Sequence, residues 1–582
     1  MLNHLSARKA WCLSLVIMAI VVVFRVVWQS ADLMAVHLPN PDSFMRLVLL
    51  RDHVPGGDFQ FMARDNAPQG AWLHWSMVHS WVMWWLARGL AASGLAFESA
   101  LVWAGTGLTM ISLLALTGLL AGVMVIRGGR LAAIAVTVAL LSSLPLQAYG
   151  APLQLTHHVF MLVPLAAAFL CFQSTRWWAD LAGGALMGLA LWISPETMPL
   201  VVALAAMRMA MRLQCPQGRP VWPVAAGLLA MLAWGWMQDP PPPTFTAWAL
   251  DHISLAWLVL GALLALWLVL ADGVICRVPG LRTRVAVVCL AGLVCGVAWL
   301  LWVPGALAGP EGLLPDELKR LWWSRIMELK PATQSAYRGI GFLGMPVLAG
   351  VALLWVAWRE ASLWKAVWAL TTLAYAVLAA WHLRMGAAAA LAAVLAWGLV
   401  LCRLPTFRTE DVNALPARQQ YRTGVLLVMP VLVAAAALTA ALLDKTPSSA
   451  RSGAARCPVS DVAPYLNQQP PGTVLVPLNE GPEMLWRTPH GILASNYHHN
   501  IDGLLDYYRI QRSTDVNAGL ADLLDRRRIR WLLACPGGGV TPEPGTLLAR
   551  MEHGESIPGL AGPTQIGAWQ VYVWPVSPPA RP

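Results

Sequence analysis

Along this chain, long apolar runs alternate with short polar gaps. Runs at 11–28, 98–126, 131–148, 158–174, 179–195, 197–213, 221–238, 251–271, 284–303, 341–358, 363–382, 386–402 and 423–443 carry few charges, and together they predict about 13 transmembrane helices. A further stretch, His74 to Gly94, is apolar and rich in tryptophan. Read as a full span it would invert everything downstream, so an interfacial or re-entrant segment is expected. Two polar intervals, 31–97 and 304–340, are long enough to be outer loops. After 443 the pattern changes: strand-like pieces at 473–477, 529–534 and 569–574 and helix-like pieces near 503–509 and 518–527 predict a small α/β domain over 444–582. The expected fold class is a polytopic α-helical membrane protein, residues 1–443, followed by a C-terminal extracytoplasmic (periplasmic) α/β domain.

Composition agrees, with 58% hydrophobic and 12% charged residues in a chain of 582. The formal charge of +10 reads as orientation rather than nucleic-acid binding, because the arginines fall mostly in short gaps between apolar runs. With Arg8 and Lys9 placing the N-terminus in the cytoplasm, every inner loop is basic, whereas the outer loops at 149–157, near 196 and at 239–250 hold no Lys or Arg and the loop after 382 holds only Arg384. A multi-pass protein of the inner (plasma) membrane is expected. Nine scattered cysteines show no CxxC or Cys/His spacing, so they give no ground for a zinc or iron–sulfur site. Cys457 and Cys535 alone share a polar domain; a disulfide and two free thiols are both open.

Two outer segments break the charge rule. Arg46, Arg51 and Arg64 lie in the first, and Lys319, Arg320, Arg325, Lys330 and Arg338 in the second. Lipid headgroups are one explanation, a phosphate-bearing ligand the other. The first outer loop opens with Pro41-Asp42-Ser43-Phe44-Met45-Arg46, where Asp42 sits at the expected N-cap of a helix that Gly56-Gly57 can end. On the same side, parity gathers Gln154-Leu155-Thr156-His157-His158, Ser194-Pro195-Glu196 and Ser324-Arg325-Ile326-Met327-Glu328-Leu329-Lys330. Each has a plain structural reading as a cap, an interfacial side chain or a local ion pair. Jointly they favour a site, since polar groups at span ends normally face a protein cavity.

The first outer loop, with Asp42-Ser43-Phe44-Met45-Arg46-Leu47 and later Asp65-Asn66-Ala67-Pro68-Gln69-Gly70, resembles that of the GT-C glycosyltransferases, and within that superfamily is most similar to the catalytic subunit of oligosaccharyltransferase. The resemblance implies a GT-C type fold. It implies that Asp42 helps to bind a divalent metal (Mg or Mn) and positions the acceptor, and that Glu328 is the glutamate of a long mobile outer loop. The sequence departs from the pattern where a second acidic motif belongs, at Thr156-His157-His158, and lacks the Trp-Trp-Asp signature that reads an asparagine sequon. In the C-terminal region Asn479-Glu480-Gly481-Pro482 and Asn496-Tyr497-His498-His499-Asn500 stand as a polar and aromatic cluster suited to sugar or acceptor contact.

The expected activity is therefore transfer of a sugar or glycan from a polyprenyl-phosphate or polyprenyl-diphosphate donor to a glycan, lipid or protein acceptor, with inversion. The catalytic candidates are Asp42 and Glu328. Arg325, Lys330, His157 and His158 are candidates for the donor phosphate. Glu196, Glu480, Asn496, Tyr497, His498 and His499 are candidates for acceptor or sugar contact, and Asp42, His157 and His158 for the metal. The competing class is a non-catalytic transporter or binding and assembly protein for a lipid-linked glycan. Against it, polar residues concentrate at one surface rather than at mid-membrane.

Overall fold

The structure, a computed structural model, describes residues 6–53, 59–242, 244–404, 407, 416–443, 457–537 and 542–575. A helix forms at every one of the apolar runs. Among the described residues eight helices are long and apolar enough to cross a membrane, from Ala7–Trp28 to Ala417–Leu443, and shorter apolar helices accompany them. Large apolar side chains such as Trp28, Leu301 and Leu442 are exposed on these helices, as lipid-facing positions would be. The chain is a multi-pass membrane protein.

Two interruptions of the apolar pattern shape the site. The run at 131–148 breaks at an extended Ser143, and a new short helix, Leu144–Tyr149, begins with Pro145 in its first turn, where the missing N–H is tolerated. The run at 158–174 becomes helical only from Leu162 to Phe172, and residues 151–161 before it are irregular. Irregular backbone at this depth is tolerated where it is buried in protein or lines a cavity. The tryptophan-rich stretch forms the helix Met77–Ala92, whose 16 residues fall short of a full span.

Asp42 is not the helix cap. Asn40 caps the helix Pro41–Arg51, its Oδ1 accepting from the Asp42 N–H at 2.8 Å, and Pro41 takes the first helical position. The Asp42 side chain is thereby released from capping. The helix stops at Asp52, so Gly56-Gly57, which lie outside the described residues, do not end it.

In the first outer loop, strands β1 (Phe61–Met62) and β2 (Ala71–Trp72) pair antiparallel. The C-terminal segment builds a five-stranded mixed sheet from β3 (Thr473–Leu475), β4 (Gly491–Ile492), β5 (Ile529–Ala534), β6 (Ala561–Ile566) and β7 (Trp569–Val573), in the order β4-β3-β5-β7-β6. β3 runs parallel to β4 and β5, and β7 runs antiparallel to β5 and β6. Side chains alternate between its faces. Val474, Trp531, Leu533 and Val571 pack into one core with Phe44, Leu47 and Leu73 of the first outer loop. Leu475, Leu532 and Tyr572 pack with the helices Ile501–Arg512, Ala518–Arg526 and Leu547–Glu552, and with Leu318. The C-terminal sheet and the loop between the first two long helices thus share one hydrophobic core.

Arg51 and Arg64 serve this junction rather than lipid or phosphate. Arg51 donates to the carbonyls of Trp486 at 2.5 Å and Leu485 at 2.9 Å; Arg64 donates to those of Leu485 at 2.8 Å, Thr488 at 2.9 Å and His490 at 3.1 Å. These carbonyls lie at the C-terminal end of the helix Gly481–Arg487, where backbone acceptors lack helical partners and positive charge is favoured. Arg46 is buried with its guanidinium 4.2 Å from the Trp75 ring centroid and bonded to Ser80 Oγ at 2.6 Å. Cys457 and Cys535 form a disulfide, fastening the start of the segment to the end of β5.

Candidate functional site

A cavity of about 1380 Å³ opens between the membrane helices and the C-terminal segment. The helix Pro41–Arg51 brings Asp42 to it, the irregular stretch before Leu162 brings His157 and His158, and the turn Pro195–Thr197 brings Glu196. From the second outer loop come Arg325 and Glu328, and from the C-terminal segment Glu480, Asn496, Tyr497 and His498. Two predicted residues are not on its wall. Lys330 is extended ahead of Pro331, and its carbonyl accepts from the Leu383 N–H at 3.0 Å. His499 instead turns to Asp251, donor and acceptor 2.8 Å apart.

The centre of the cavity holds an unusual charge arrangement. Tyr497 donates its hydroxyl to Asp42 Oδ1 at 2.7 Å across 455 residues of sequence. Burial, reinforced by the Glu328 carboxylate, pushes Asp42 above the ordinary aspartate range, and the Tyr497 bond offsets part of that. Burial likewise pushes Glu328 up, while Arg384 pulls it back. Tyr149 Oη lies 3.5 Å from Glu328 Oε1. Arg384 pairs with Glu196. Burial raises Glu196 too, yet Arg384 and His158 outweigh it and keep that carboxylate ionised below its usual range.

Among the described residues that line the cavity, Arg384 Nε, His158 Nδ1 and His74 Nδ1 are buried with no hydrogen bond. Buried polar groups are nearly always satisfied, so such exceptions beside a cavity mark where ligand atoms belong. At the opposite wall Glu480 is pushed up to about 7 by burial. Asn496 accepts from Trp322 Nε1 and donates to Asn479 Oδ1 at 3.1 Å, which fixes its amide.

Asp42, His157 and His158 share the cavity, but their ligand atoms do not gather as a metal set. Among the described residues the group of three that converges is His74, Asp251 and His498.

Sequence reasoning missed Arg384, Asp251 and His74. Arg384 did carry a signal, as the lone cation of its outer loop. The Asp65–Gly70 motif is structural: Asp65 accepts from Ser495 Oγ and from Asn500 Nδ2 at 3.0 Å, and Arg527 donates to Asn66 Oδ1 at 3.0 Å and Gln69 Oε1 at 2.5 Å. Burial pushes Asp65 up to about 6 despite these bonds.

Helices of membrane length, a long loop after the first of them and a C-terminal segment closing over the cavity make up a fold shared with solved oligosaccharyltransferase structures. It is similar to the archaeal oligosaccharyltransferase AglB from Archaeoglobus fulgidus solved with an inhibitory peptide and a dolichol-phosphate: 13% identical, TM-score 0.62, over 97% of this chain and 74% of that one. The apo form of the Archaeoglobus fulgidus oligosaccharyltransferase matches with a TM-score of 0.63 at 14% identity, over 90% of this chain and 69% of that one. The same enzyme solved with Zn and sulfate matches at 0.54 and 14%, over 85% and 64%. No family model and no curated protein matches the sequence.

Proposed function

We propose that this protein is a GT-C type glycosyltransferase that moves a sugar or glycan from a polyprenyl-phosphate or polyprenyl-diphosphate donor to an acceptor on the outer face of the inner membrane, working with about 13 spans, a cytoplasmic N-terminus and an outer C-terminal domain. The observation that carries this reading is the pairing of Asp42 and Glu328, carboxyls with raised proton affinity, with the unspent donors of Arg384 and His158 in one cavity. The Cys457–Cys535 disulfide supports an oxidising outer compartment for the domain. The similar oligosaccharyltransferase solved with dolichol-phosphate supports a lipid-linked donor.

In this reading the donor phosphate meets Arg384 Nε and His158 Nδ1, with Arg325 at the rim. Guanidinium groups suit phosphate, and preorganised donors stabilise the charge that develops as it leaves. Asp42 takes the proton of the acceptor hydroxyl as that oxygen attacks the anomeric carbon. The bond from that carbon to the phosphate oxygen breaks, the electron pair leaves on phosphate, and attack from the opposite face inverts the centre. Tyr497 holds the Asp42 carboxylate in place, Glu328 faces the acceptor side, and Glu480 and Asn496 contact acceptor or sugar.

A non-catalytic binder of a lipid-linked glycan is the second reading, favoured by one feature: histidines stand where a second acidic motif would. Envelope glycan mass spectrometry on cells lacking the protein, complemented with wild type or Asp42→Ala at matched expression, separates the two. Loss of a sugar restored only by wild type supports the transferase. Full restoration by Asp42→Ala overturns it in favour of transport or binding.

A further inference from the structure

Three separated stretches meet at the cavity's edge beside Tyr497. His74 follows β2, Asp251 precedes the helix Leu255–Arg277, and His498 and His499 follow β4. One ligand atom each from His74, Asp251 and His498 lies within 4.8 Å of the others. Asp251 Oδ2 is 2.5 Å from His498 Nε2 and 2.8 Å from His499 Nε2. The His74 ring lies 4.4 Å from that of His498 and 5.8 Å from that of His499, centroid to centroid. Its Nδ1 is buried without a hydrogen-bond partner.

Protons alone serve this cluster poorly. Two imidazoles compete for one carboxylate oxygen, and the third faces them with an unspent nitrogen, a cost that buried polar groups normally avoid. A cation of the right class uses all of these atoms at once. Three imidazoles and a carboxylate suit zinc and its transition-metal neighbours, whereas magnesium and calcium prefer oxygen sets. The neighbouring backbone is also braced: His252 pairs with Asp239 at 3.2 Å, and Asp239 accepts from Trp192 Nε1 at 2.9 Å and from the Met77 N–H at 2.8 Å. These bonds anchor the chain at His252, the residue next to Asp251.

We infer that His74, Asp251 and His498, with His499 as fourth donor, bind a divalent transition cation of the zinc class. The cation ties the first outer loop and the segment before the helix Leu255–Arg277 to the C-terminal segment. It also fixes the residue next to His498, Tyr497, whose hydroxyl holds Asp42. Its role is positioning. The inference goes beyond the transferase reading, and because the metal is measured without substrate, either can fail alone.

The test uses full-length protein in detergent, stripped with a chelator, reloaded with Zn²⁺, desalted and measured by inductively coupled plasma mass spectrometry. One zinc per chain is expected. Asp251→Asn and His498→Gln should each weaken zinc binding at least about tenfold, while Asp42→Asn keeps it. Co²⁺ in place of zinc should give the strong visible absorption of a four-coordinate site in wild type, a readout that stands even if a variant fails to fold. No stoichiometric zinc in wild type, undiminished zinc in Asp251→Asn, or a weak six-coordinate Co²⁺ spectrum would each overturn the assignment.

Discussion

Asp42 carries the sharpest expectations at the scale of single residues. Its carboxyl must be ionised to accept a proton, and burial with Glu328 nearby raises the pH at which it ionises. Transfer should therefore fall away on acidification at a pH above the ordinary aspartate range, and rise again as pH increases through that value. A pH–rate profile checks this; an acid limb at or below the usual aspartate range removes Asp42 as base. Asp42→Asn should abolish turnover with the detergent-solubilised protein eluting as wild type does. Arg384 gives a second expectation. Arg384→Lys keeps the charge but loses the planar fork shared between Glu196 and a ligand. Donor binding should weaken about ten- to a hundredfold, the usual loss for a charged hydrogen bond, measured by titrating a polyprenyl-phosphate analogue; unchanged affinity would move the phosphate elsewhere. Asp42 was legible because it follows the first apolar run directly. Arg384 and Asp251 were not, because their meaning lies in partners far along the chain that no local pattern announces.

Elements were more legible than residues. Apolar runs mark helices because burial in lipid is a one-dimensional property of sequence, and every run carries a helix. What the runs hide is where a helix begins: the run at 158–174 is helical only from Leu162, and the stretch before it, where Leu153, Gln154, His157 and His158 line the cavity, stays irregular. Arg51 and Arg64 took neither of the two roles left open for the cations of their loop. Excess positive charge in a loop suggests headgroups, but Arg51 and Arg64 satisfy the open carbonyls of the helix Gly481–Arg487. Arg64→Met should accordingly lower stability by about 1–3 kcal/mol, the usual cost of stranding buried polar groups. A thermal unfolding series with urea in detergent reads it. No shift would mean that the carbonyls are satisfied by water. Cys457 and Cys535 alone share the polar region, which left a disulfide and two free thiols both open; the structure joins them, and their bond closes a long loop. Cys535→Ala should cost roughly 2–5 kcal/mol and sensitise the C-terminal segment to protease; equal protease resistance would show that packing alone holds it.

At the scale of the whole molecule, the composition shift after Leu443 suggested two units, one in the membrane and one outside. The shared core argues that they behave as one. Phe44, Leu47 and Leu73 of the first outer loop sit in the same cluster as Val474, Ile492 and Trp531 of the sheet. Asp65 joins Ser495 and Asn500, Arg527 joins Asn66 and Gln69, and Tyr497 reaches Asp42. An interface built like a domain interior resists separation, unlike the small polar contacts between independently moving domains. A protease site inserted between residues 444 and 456 should therefore give a nicked protein whose two pieces elute together in detergent at physiological salt. The disulfide cannot account for that, since both cysteines lie in the C-terminal piece. The nicked protein should also keep its transfer activity, because each wall of the cavity stays attached to the other through the first outer loop rather than through the cut connection. Pieces that part on gel filtration would mean that chain continuity, not packing, closes the cavity.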